Sequence, residues 1–297
     1  MKEINKILLC GLGAIGGYYA TKFYHSDLTL KILVDKYRYE KYIKTPRIIN
    51  NKEYNFDYVL PDNNDFKADL IIISTKSDGL DDAIKNIEHF VGDETIILSF
   101  LNGITSEKKI IEKYGNKVLY SYLLGHTFFR KDNNINHDGH AKIHFGSDTG
   151  LSDKRINLVA NVFRKIDVEY ETDENIIASL WKKFCFNCCA NQLSAITRMT
   201  FGEMKSSGKC LNIMKNICGE VSLIAEKEGI ANIDFYQSTM DSLNLMIPDG
   251  KTSMLQDIES GKKAETDLFG GTIAALGQKH GIDTPYNKII SELIESI

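Results

Sequence analysis

One short segment places a lysine and two asparagines at a spacing that suits a ligand site. Lys183, Asn187 and Asn191 lie four residues apart within 180–192, a segment that is otherwise mostly apolar or cysteine. At 3.6 residues per turn, the three side chains form one narrow polar stripe on a helix. Buried polar groups cost free energy unless they are paired, and a polar substrate would pair with them. The stripe therefore predicts a substrate site, with a solvent-facing stripe and an exposed Lys183 as the alternative.

A glycine-rich turn near the start of the chain is a second candidate site. The residues that fit the pattern G-x-G-x-x-G are Gly11, Leu12, Gly13, Ala14, Ile15 and Gly16. They follow a strand-like segment and precede a helical one, which is the context that a dinucleotide-binding turn requires. The first glycine permits the tight turn, the second lets the backbone approach a pyrophosphate, and the third lets helix and strand pack closely. Free N–H groups at the helix N-terminus would bind the phosphates, whereas the alternative is a glycine turn with no ligand.

An acidic residue follows at the distance expected for a ribose ligand. Asp35 ends the next strand-like segment, nineteen residues after Gly16, close to the usual spacing of about 20. A carboxylate there accepts hydrogen bonds from the ribose hydroxyls and repels a 2′-phosphate, which favours NAD(H). Lys36 and Arg38 follow directly, and they either hold the 2′-phosphate of NADP(H) or belong to an ordinary solvated loop. The residues alone leave both cofactors open.

Two further polar residues follow strand-like segments. Lys76 comes after Leu70–Ser74, and Asn102 comes after Ile96–Phe100. In open parallel sheets, ligands bind outside the carboxyl ends of the strands, so a lysine and an amide there would reach the cofactor. Each of them is equally well explained as a loop-stabilising residue, since Asn-Gly is ordinary turn chemistry.

The elements that must position these residues change character along the chain. In the first half, apolar segments alternate with helical patterns such as Gly79–Phe90 and Ser106–Lys113, which predicts a parallel sheet covered on both faces. The predicted strands are Ile7–Cys10, Leu30–Val34, Leu70–Ser74, Ile96–Phe100, Val118–Tyr122 and an edge segment, Ala141–Gly146. The later segments are predicted to be helical, namely Ile176–Ala195, Cys210–Glu228, Asp234–Met246, Thr266–His280 and Asn287–Ile297.

These patterns predict an α/β protein with two domains. An N-terminal Rossmann-like parallel-sheet domain would span residues 1–171, and a C-terminal all-helical domain would span residues 172–297. We see no low-complexity linker between them, so the domains are expected to pack together, and such an interface is a usual place for a ligand cleft.

Composition and charge exclude several classes of protein. The 297 residues have a formal net charge of −4, so no broad positive field for nucleic acid or an anionic membrane is implied. The apolar segments are too short to span a bilayer, and the N-terminus lacks the pattern of a signal peptide. We therefore expect a cytoplasmic protein that binds a small molecule, and no membrane or nucleic acid.

Six cysteines are present, and four of them fall within Cys185–Cys210 in helical-looking sequence. Cys185 and Cys188 form a C-x-x-C pair. A redox or zinc site would require a turn context or a second ligand pair, and the sequence shows neither. We therefore predict buried, unreactive thiols and no metal site.

Five segments together resemble the ketopantoate reductase (2-dehydropantoate 2-reductase) family over nearly the full length. These segments are GLGAIG at Gly11–Gly16, the strand-end Lys76, LNG at Leu101–Gly103, LWKKFCFNCCANQLSAI at Leu180–Ile196 and TSMLQDIESGKKAETD at Thr252–Asp267. The last two are far more specific than the glycine motif. The resemblance implies an oxidoreductase that reduces 2-dehydropantoate, a 2-keto acid, to pantoate on the route to pantothenate and coenzyme A.

The resemblance also implies roles for particular residues. Lys183 would be the general acid that protonates the carbonyl oxygen as hydride arrives, because an ammonium group stabilises the charge that develops there. Asn187 and Asn191 would hold polar groups of the substrate, and Ser253 would bind its carboxylate. Glu265 would complete the catalytic pair, close to both the lysine and the cofactor.

On the cofactor side, the resemblance implies that Asn102 touches both the nicotinamide ribose and the substrate, and that Lys76 lines the cofactor site. It implies NADP(H), but Asp35 stands near the place where many relatives carry an arginine for the 2′-phosphate. Phe201 stands where some members have a polar substrate contact. These two departures leave NAD(H) and a different keto acid open.

Two other functions stay open at this stage. One is an enzyme of the same class that acts on another 2-keto or 3-hydroxy acid. The other is a nucleotide-sensing regulator that binds the cofactor without turnover. A sensor needs no acid beside the nicotinamide, so the sequence argues against it by containing Lys183, Asn187, Ser253 and Glu265. The pattern neither requires nor excludes a homodimer formed by the helical domain.

Overall fold

The structure is a computed structural model that describes residues 2–125, 128–131, 134–137, 141–262 and 264–297. The chain divides into two compact units, Met1–Ile177 and Ala178–Ile297. The division lies six residues beyond the predicted boundary between residues 171 and 172, because β12 and the start of α6, defined below, belong to the first unit.

The first unit is built on strands. Over the described residues these are β1 (Lys6–Cys10), β2 (Thr29–Leu33), β3 (Arg47–Ile49), β4 (Lys52–Tyr54), β5 (Tyr58–Val59), β6 (Ala68–Ile73), β7 (Val91–Ser99), β8 (Val118–Leu124), β9 (Phe128–Lys131), β10 (Asn134–His137), β11 (Lys142–Gly146) and β12 (Tyr170–Thr172). All six segments predicted to be strands are strands in the structure, with bounds that differ by a few residues.

The helices are shared between the two units. They are α1 (Ala14–Tyr24), α2 (Lys36–Tyr42), α3 (Leu80–Asn86), α4 (Ser106–Tyr114), α5 (Lys154–Lys165), α6 (Ile176–Phe186), α7 (Gln192–Thr197), α8 (Phe201–Ser206), α9 (Gly208–Lys227), α10 (Phe235–Leu245), α11 (Ser253–Glu259), α12 (Gly270–His280) and α13 (Pro285–Glu295). A π-helical segment, Asn187–Asn191, joins α6 to α7. Within the described part of the chain, none of the helices combines the length and the apolar character that crossing a membrane requires.

The main sheet has the order β12-β11-β8-β7-β6-β1-β2-β5. Strands β5, β2, β1, β6, β7 and β8 run parallel, whereas β11 pairs antiparallel with β8. The strands that follow β1 in the chain are added first on one side of it, as β2 and β5, and then on its other side, beginning with β6. The direction in which the sheet is built therefore reverses at β1. Ligands of open α/β sheets bind at such a reversal, outside the carboxyl ends of the strands. The predicted fold class, a Rossmann-like sheet domain followed by a helical one, is confirmed.

The central strands are apolar at consecutive positions because helices cover both faces of the sheet. In β1, Ile7 and Leu9 belong to one buried cluster, whereas Leu8 and Cys10 belong to the cluster on the opposite face. This alternation is the two-residue period of a strand. A strand buried on both faces therefore appears as a continuous apolar segment, as in parallel sheets generally.

A small second sheet, β4-β3-β10-β9, was not predicted from the sequence. Its strands are only three or four residues long and mix charged or polar residues with apolar ones. Segments this short give no clear periodicity. The sheet packs on α1 through Ile135 and Ile49, whose side chains lie close to Gly17.

In the second unit, a buried carboxylate caps a helix that is distant in the sequence. Glu220 on α9 accepts hydrogen bonds from the backbone N–H groups of Tyr286 (2.8 Å) and Asn287 (3.0 Å) and from Asn287 Nδ2 (2.8 Å). These donors lie in the first turn of α13, where N–H groups have no partner within the helix. A negative charge there is also favoured by the helix dipole.

We expect Glu220→Ala to lower the free energy of unfolding by about 2–3 kcal/mol, because it leaves buried N–H groups without an acceptor. Glu226→Ala is the matched control, since Glu226 lies on the same helix but is exposed. Urea unfolding followed by circular dichroism would measure both. Equal stability of the two variants would contradict this role of Glu220.

Candidate functional site

The glycine turn joins β1 to α1, and two of its glycines are required by close packing. Gly11 has a φ of +103°, and a Cβ atom there would lie 2.5 Å from the carbonyl oxygen of Ser74. A Cβ atom on Gly16 would lie 2.0 Å from the carbonyl oxygen of Gly11. No side chain larger than hydrogen fits at either position without movement of the backbone. The first glycine thus brings the turn against the end of β6, and the third lets α1 start close to β1.

The middle glycine differs, because its surroundings are open. A Cβ atom on Gly13 would meet nothing within 4 Å among the described residues. Gly13 is also the N-cap of α1 and has no side chain to accept hydrogen bonds from the first turn. Beside the turn, Ser74 Oγ and Thr75 Oγ1 are buried without a hydrogen-bond partner among the described residues. Open space, free N–H groups and two unpaired hydroxyls fit a dinucleotide pyrophosphate at this point.

The other cofactor-side residues follow strands that run parallel to β1 and therefore lie at the same edge of the sheet. Asp35 follows β2 and is the N-cap of α2, where its carboxylate accepts a hydrogen bond from the Arg38 N–H at 2.7 Å and pairs with the Arg38 guanidinium. Lys76 follows β6 and is exposed, and Asn102 follows β7 and is half-buried. Gly103 has a φ of +92°, so the turn after Asn102 requires glycine.

In the second unit, the predicted polar stripe runs from the end of α6 through the π segment. Lys183 is half-buried, whereas Asn187 and Asn191 are only 7% and 6% exposed. Asn191 Nδ2 donates a hydrogen bond to Asn187 Oδ1 at 3.2 Å. The solvent-facing alternative therefore does not hold for the two asparagines, and their paired amides are buried one and two helical turns after Lys183.

The sequence predicted an uninterrupted α-helix here, and the π segment at Asn187–Asn191 corrects that prediction. Such segments shift backbone hydrogen bonds, and they occur often at functional sites. Gln192 compensates for the shift, because its Nε2 donates to the Cys188 carbonyl oxygen at 2.8 Å. Its Oε1 accepts from the Gly270 N–H at 3.1 Å, and its side chain is fully buried. Sequence reasoning missed Gln192, for which the only signal was an amide at the end of an apolar segment.

Ser253 lies on a helix that packs near this stripe, and Glu265 precedes a turn of the same unit. Ser253 is the first residue of α11, after the N-cap Thr252, and α11 packs against α7 and the π segment. Ser253 itself is exposed. Glu265 is half-buried and directly precedes a 3₁₀ turn, Thr266–Leu268, that packs against α12 and α13.

The sequence-predicted residues therefore form two groups. The first unit brings together the glycine turn, Asp35, Lys76 and Asn102 at one edge of its sheet. The second unit carries Lys183, Asn187, Asn191, Ser253 and Glu265 on α6, the π segment, α11 and the turn before α12. The first group presents donors suited to phosphate and ribose, and the second presents an ammonium group, two amides and a hydroxyl suited to a small polar acid.

All six cysteines are buried and free. Burial raises the pKa of the thiols of Cys185, Cys188 and Cys189 well above the ordinary value, and it raises that of Cys10 to about 12. A thiol reacts as its thiolate, so burial and the raised pKa both disfavour alkylation of these four groups. The predicted burial of the thiols is thus observed.

Two family models match the chain. Residues 7–150 match the model described as ketopantoate reductase PanE/ApbA, and residues 175–297 match the model for the C-terminal part of the same family. Among curated proteins, the 2-dehydropantoate 2-reductase of Streptococcus pyogenes serotype M6 is 28% identical over 239 residues, which cover 77% of this chain and 76% of the relative. The Aquifex aeolicus 2-dehydropantoate 2-reductase is 25% identical over 302 residues, covering 99% of this chain and 97% of the relative.

A solved structure supports the fold. A D-mandelate dehydrogenase in ternary complex with NADH and anilino(oxo)acetate superposes with a TM-score of 0.85 and 22% identity, covering 98% of this chain and 97% of that one. At this identity the likeness concerns the fold alone. The family models cover both units, and they agree with the segments that carry the resemblance in the sequence. The chain therefore belongs to the ketopantoate reductase family.

Proposed function

We propose that this chain is a 2-dehydropantoate 2-reductase, an oxidoreductase that converts the ketone of 2-dehydropantoate into the hydroxyl of pantoate. The observation that carries the proposal is the pair of buried, mutually bonded amides of Asn187 and Asn191, one and two helical turns after the half-buried Lys183. An amide pair of this kind recognises hydroxyl and carboxylate groups, and a neighbouring ammonium group assists reduction of a ketone.

The nicotinamide ring, when bound, supplies the hydride, and the residues of this chain manage the substrate and the proton. The ketone oxygen gains negative charge as its carbon receives the hydride, and the Lys183 ammonium group stabilises that charge. Lys183 then gives its proton to the oxygen, which completes the hydroxyl. Asn187 and Asn191 hold the polar groups of the substrate, and Ser253 binds its carboxylate. The negative charge of Glu265 favours the charged, protonated form of Lys183.

On the cofactor side, the turn at Gly11–Gly16 and the N-terminus of α1 would hold the pyrophosphate. The unpaired hydroxyls of Ser74 and Thr75 would donate to phosphate or ribose oxygens. Lys76 and Asn102, at the ends of neighbouring parallel strands, would bind the remainder of the cofactor. The first unit therefore supplies binding and orientation, as protein groups generally do for redox cofactors.

We further propose that NAD(H) is preferred over NADP(H). Asp35 is held in place as the N-cap of α2, and its pairing with Arg38 occupies the guanidinium that would otherwise bind a 2′-phosphate. A fixed carboxylate at this position accepts hydrogen bonds from the ribose hydroxyls and repels a phosphate.

We expect Asp35→Asn to raise the ratio of kcat/KM with NADPH to kcat/KM with NADH by at least about tenfold, because the charge is lost and Arg38 is released. Asparagine caps helices as well as aspartate does, so α2 keeps its N-cap. Asp57→Asn, at another exposed carboxylate of the first unit, is the control and should leave the ratio unchanged. An unaltered ratio in Asp35→Asn would argue against the ribose role of Asp35.

The activity itself is tested by following oxidation of NADH and NADPH in the presence of 2-dehydropantoate and a panel of other 2-keto acids. Turnover with 2-dehydropantoate at the highest kcat/KM supports the proposal. Cofactor binding without turnover of any keto acid would overturn it in favour of a nucleotide-sensing regulator.

A second candidate, a reductase of a bulkier apolar 2-keto acid, is favoured by one observation. Phe201 is 9% exposed and lies 6.5 Å, between ring centroids, from Phe186, the residue directly before the π segment. This aromatic pair lies at the start of the π segment that carries Asn187, and an apolar substrate group near Asn187 would pack against it. Higher kcat/KM with a branched or aromatic keto acid than with 2-dehydropantoate would select this candidate.

A further inference from the structure

In contrast to the expectation from the sequence of no metal site, we propose that the second unit holds one zinc ion on a buried site formed by Cys185, Cys189 and Cys218. Cys185 belongs to α6, Cys189 to the π segment and Cys218 to α9. Their side chains are at most 2% exposed, and their sulfur atoms lie within 4.8 Å of one another. Three thiols from three helical segments thus meet at one point in the interior.

The distances between the sulfur atoms fit a zinc ion. Cys218 Sγ lies 3.5 Å from Cys185 Sγ and 3.4 Å from Cys189 Sγ. For a Cys185–Cys189 sulfur distance between about 3.4 Å and the 4.8 Å limit, the point in the sulfur plane that is equidistant from all three lies about 2.0–2.4 Å from each, which brackets the usual Zn–S distance of about 2.3 Å. In a tetrahedral zinc site the sulfur atoms are about 3.8 Å apart, so Cys218 Sγ needs to separate from each of the other two sulfurs by only a few tenths of an ångström.

A fourth group is in place beside the three sulfurs. Thr239 Oγ1, on α10, lies 3.6 Å from Cys218 Sγ and 3.7 Å from Cys185 Sγ, and Thr239 is 1% exposed. With Zn–O near 2.0 Å, a tetrahedral site places its oxygen about 3.5 Å from each sulfur. The distances from the hydroxyl to these two sulfurs match that value, so the hydroxyl would serve either as a weak fourth ligand or as a donor to a sulfur.

The chemistry of this donor set selects a thiophilic metal. Soft thiolates bind zinc or copper(I) in preference to calcium or magnesium. The three thiols release three protons when Zn²⁺ binds, and the site then has a net charge of −1 instead of the −2 that copper(I) would leave. Because a buried charge is costly, zinc is the better occupant. Without metal, two of the thiols donate weak hydrogen bonds to backbone carbonyl oxygens. Cys189 Sγ lies 3.7 Å from the Met214 oxygen, and Cys218 Sγ lies 3.8 Å from the Phe235 oxygen.

Zinc at this site would also support the candidate substrate site. Cys189 lies between Asn187 and Asn191 within the π segment, so a Zn–S bond would fix that segment against α9 and α10. Structural zinc sites contribute directly to folding stability. The ion would therefore stabilise the π segment that carries the amide pair.

The test is the metal content of the full-length, tag-free protein produced in zinc-supplemented medium and washed with chelator. We expect about one zinc per chain by plasma mass spectrometry, and at least a tenfold lower content in Cys218→Ala. The control is Cys210→Ala, which removes a buried thiol of the same helix outside the cluster and should keep its zinc. Protein produced with cobalt should show sulfur-to-cobalt charge transfer and the visible bands of a tetrahedral site.

Two results would overturn the proposal. One is wild-type protein with less than about a tenth of an equivalent of zinc and no cobalt–thiolate absorption. The other is metal that remains in Cys218→Ala. The cobalt spectrum is recorded on the wild type, so it tests for the thiolate metal site even if a variant fails to fold. Thr239→Val then tests the fourth position, because loss of its oxygen should change the cobalt bands while the zinc content stays near one.

Discussion

Lys183→Met is expected to lower kcat by about 10²- to 10⁴-fold, the range usually contributed by a positioned general acid. Methionine keeps the length and the apolar character of the lysine side chain, so the half-buried position at the end of α6 remains filled. The variant loses only the ammonium group, which is needed when charge develops on the ketone oxygen. Because that interaction is strongest in the transition state, kcat should fall by more than KM rises.

The neighbouring residue provides the control for this experiment. Lys182 is exposed, whereas Lys183 is half-buried, and the two differ by about 100° around the helix. Lys182→Met should therefore retain wild-type kcat. Cofactor binding, measured by quenching of protein fluorescence, should be unchanged in both variants, because neither lysine lies in the first unit. If Lys183→Met turned over at the wild-type rate, another group would have to supply the proton.

The parallel sheet could be predicted because its physical signal is local. Strands such as β1 and β6 are buried on both faces, so each contains four consecutive apolar residues or cysteine, Ile7–Cys10 and Leu70–Ile73. The glycine turn is equally local, since Gly11 and Gly16 are required by contacts made within the same strand-turn-helix unit and the adjacent strand end.

The parts that the sequence did not predict depend on contacts between distant segments. The π segment is stabilised by Gln192, which bonds to Cys188 within its own helix and to Gly270, 78 residues away. The three-thiol cluster is completed by Cys218, which lies 29 residues after Cys189 and on a different helix. Spacing along one helix indicates which residues share a face, but it does not indicate which helix packs against that face.

The same distinction applies to the small sheet. Strand β3 pairs with β10, more than eighty residues later, and neither has the length or the alternation that predicts a strand. By contrast, burial of the amide stripe was predictable, because Asn187 and Asn191 stand in a segment that is otherwise mostly apolar or cysteine. Periodicity thus identified the residues, and tertiary packing determined how the backbone presents them.

A pair of glycine variants would separate folding from cofactor binding in the first unit. Gly16→Ala places a Cβ atom 2.0 Å from the Gly11 carbonyl oxygen, so α1 must move away from β1. We expect it to lower the free energy of unfolding by about 1–3 kcal/mol, as overpacked positions do, and to abolish detectable cofactor binding. Gly13→Ala meets nothing within 4 Å among the described residues, so its stability should stay within about 1 kcal/mol of wild type.

The cofactor affinity of Gly13→Ala nevertheless should fall by at least about tenfold, because the new methyl group occupies the space through which the backbone approaches the pyrophosphate. Calorimetric titration with NADH and NADPH gives the Kd, and thermal unfolding of the same samples gives the stability. A stable Gly13→Ala protein with wild-type affinity would show that the pyrophosphate does not approach this turn. A protein that binds weakly yet unfolds normally would locate the loss in the contact with the ligand, since the fold is then intact.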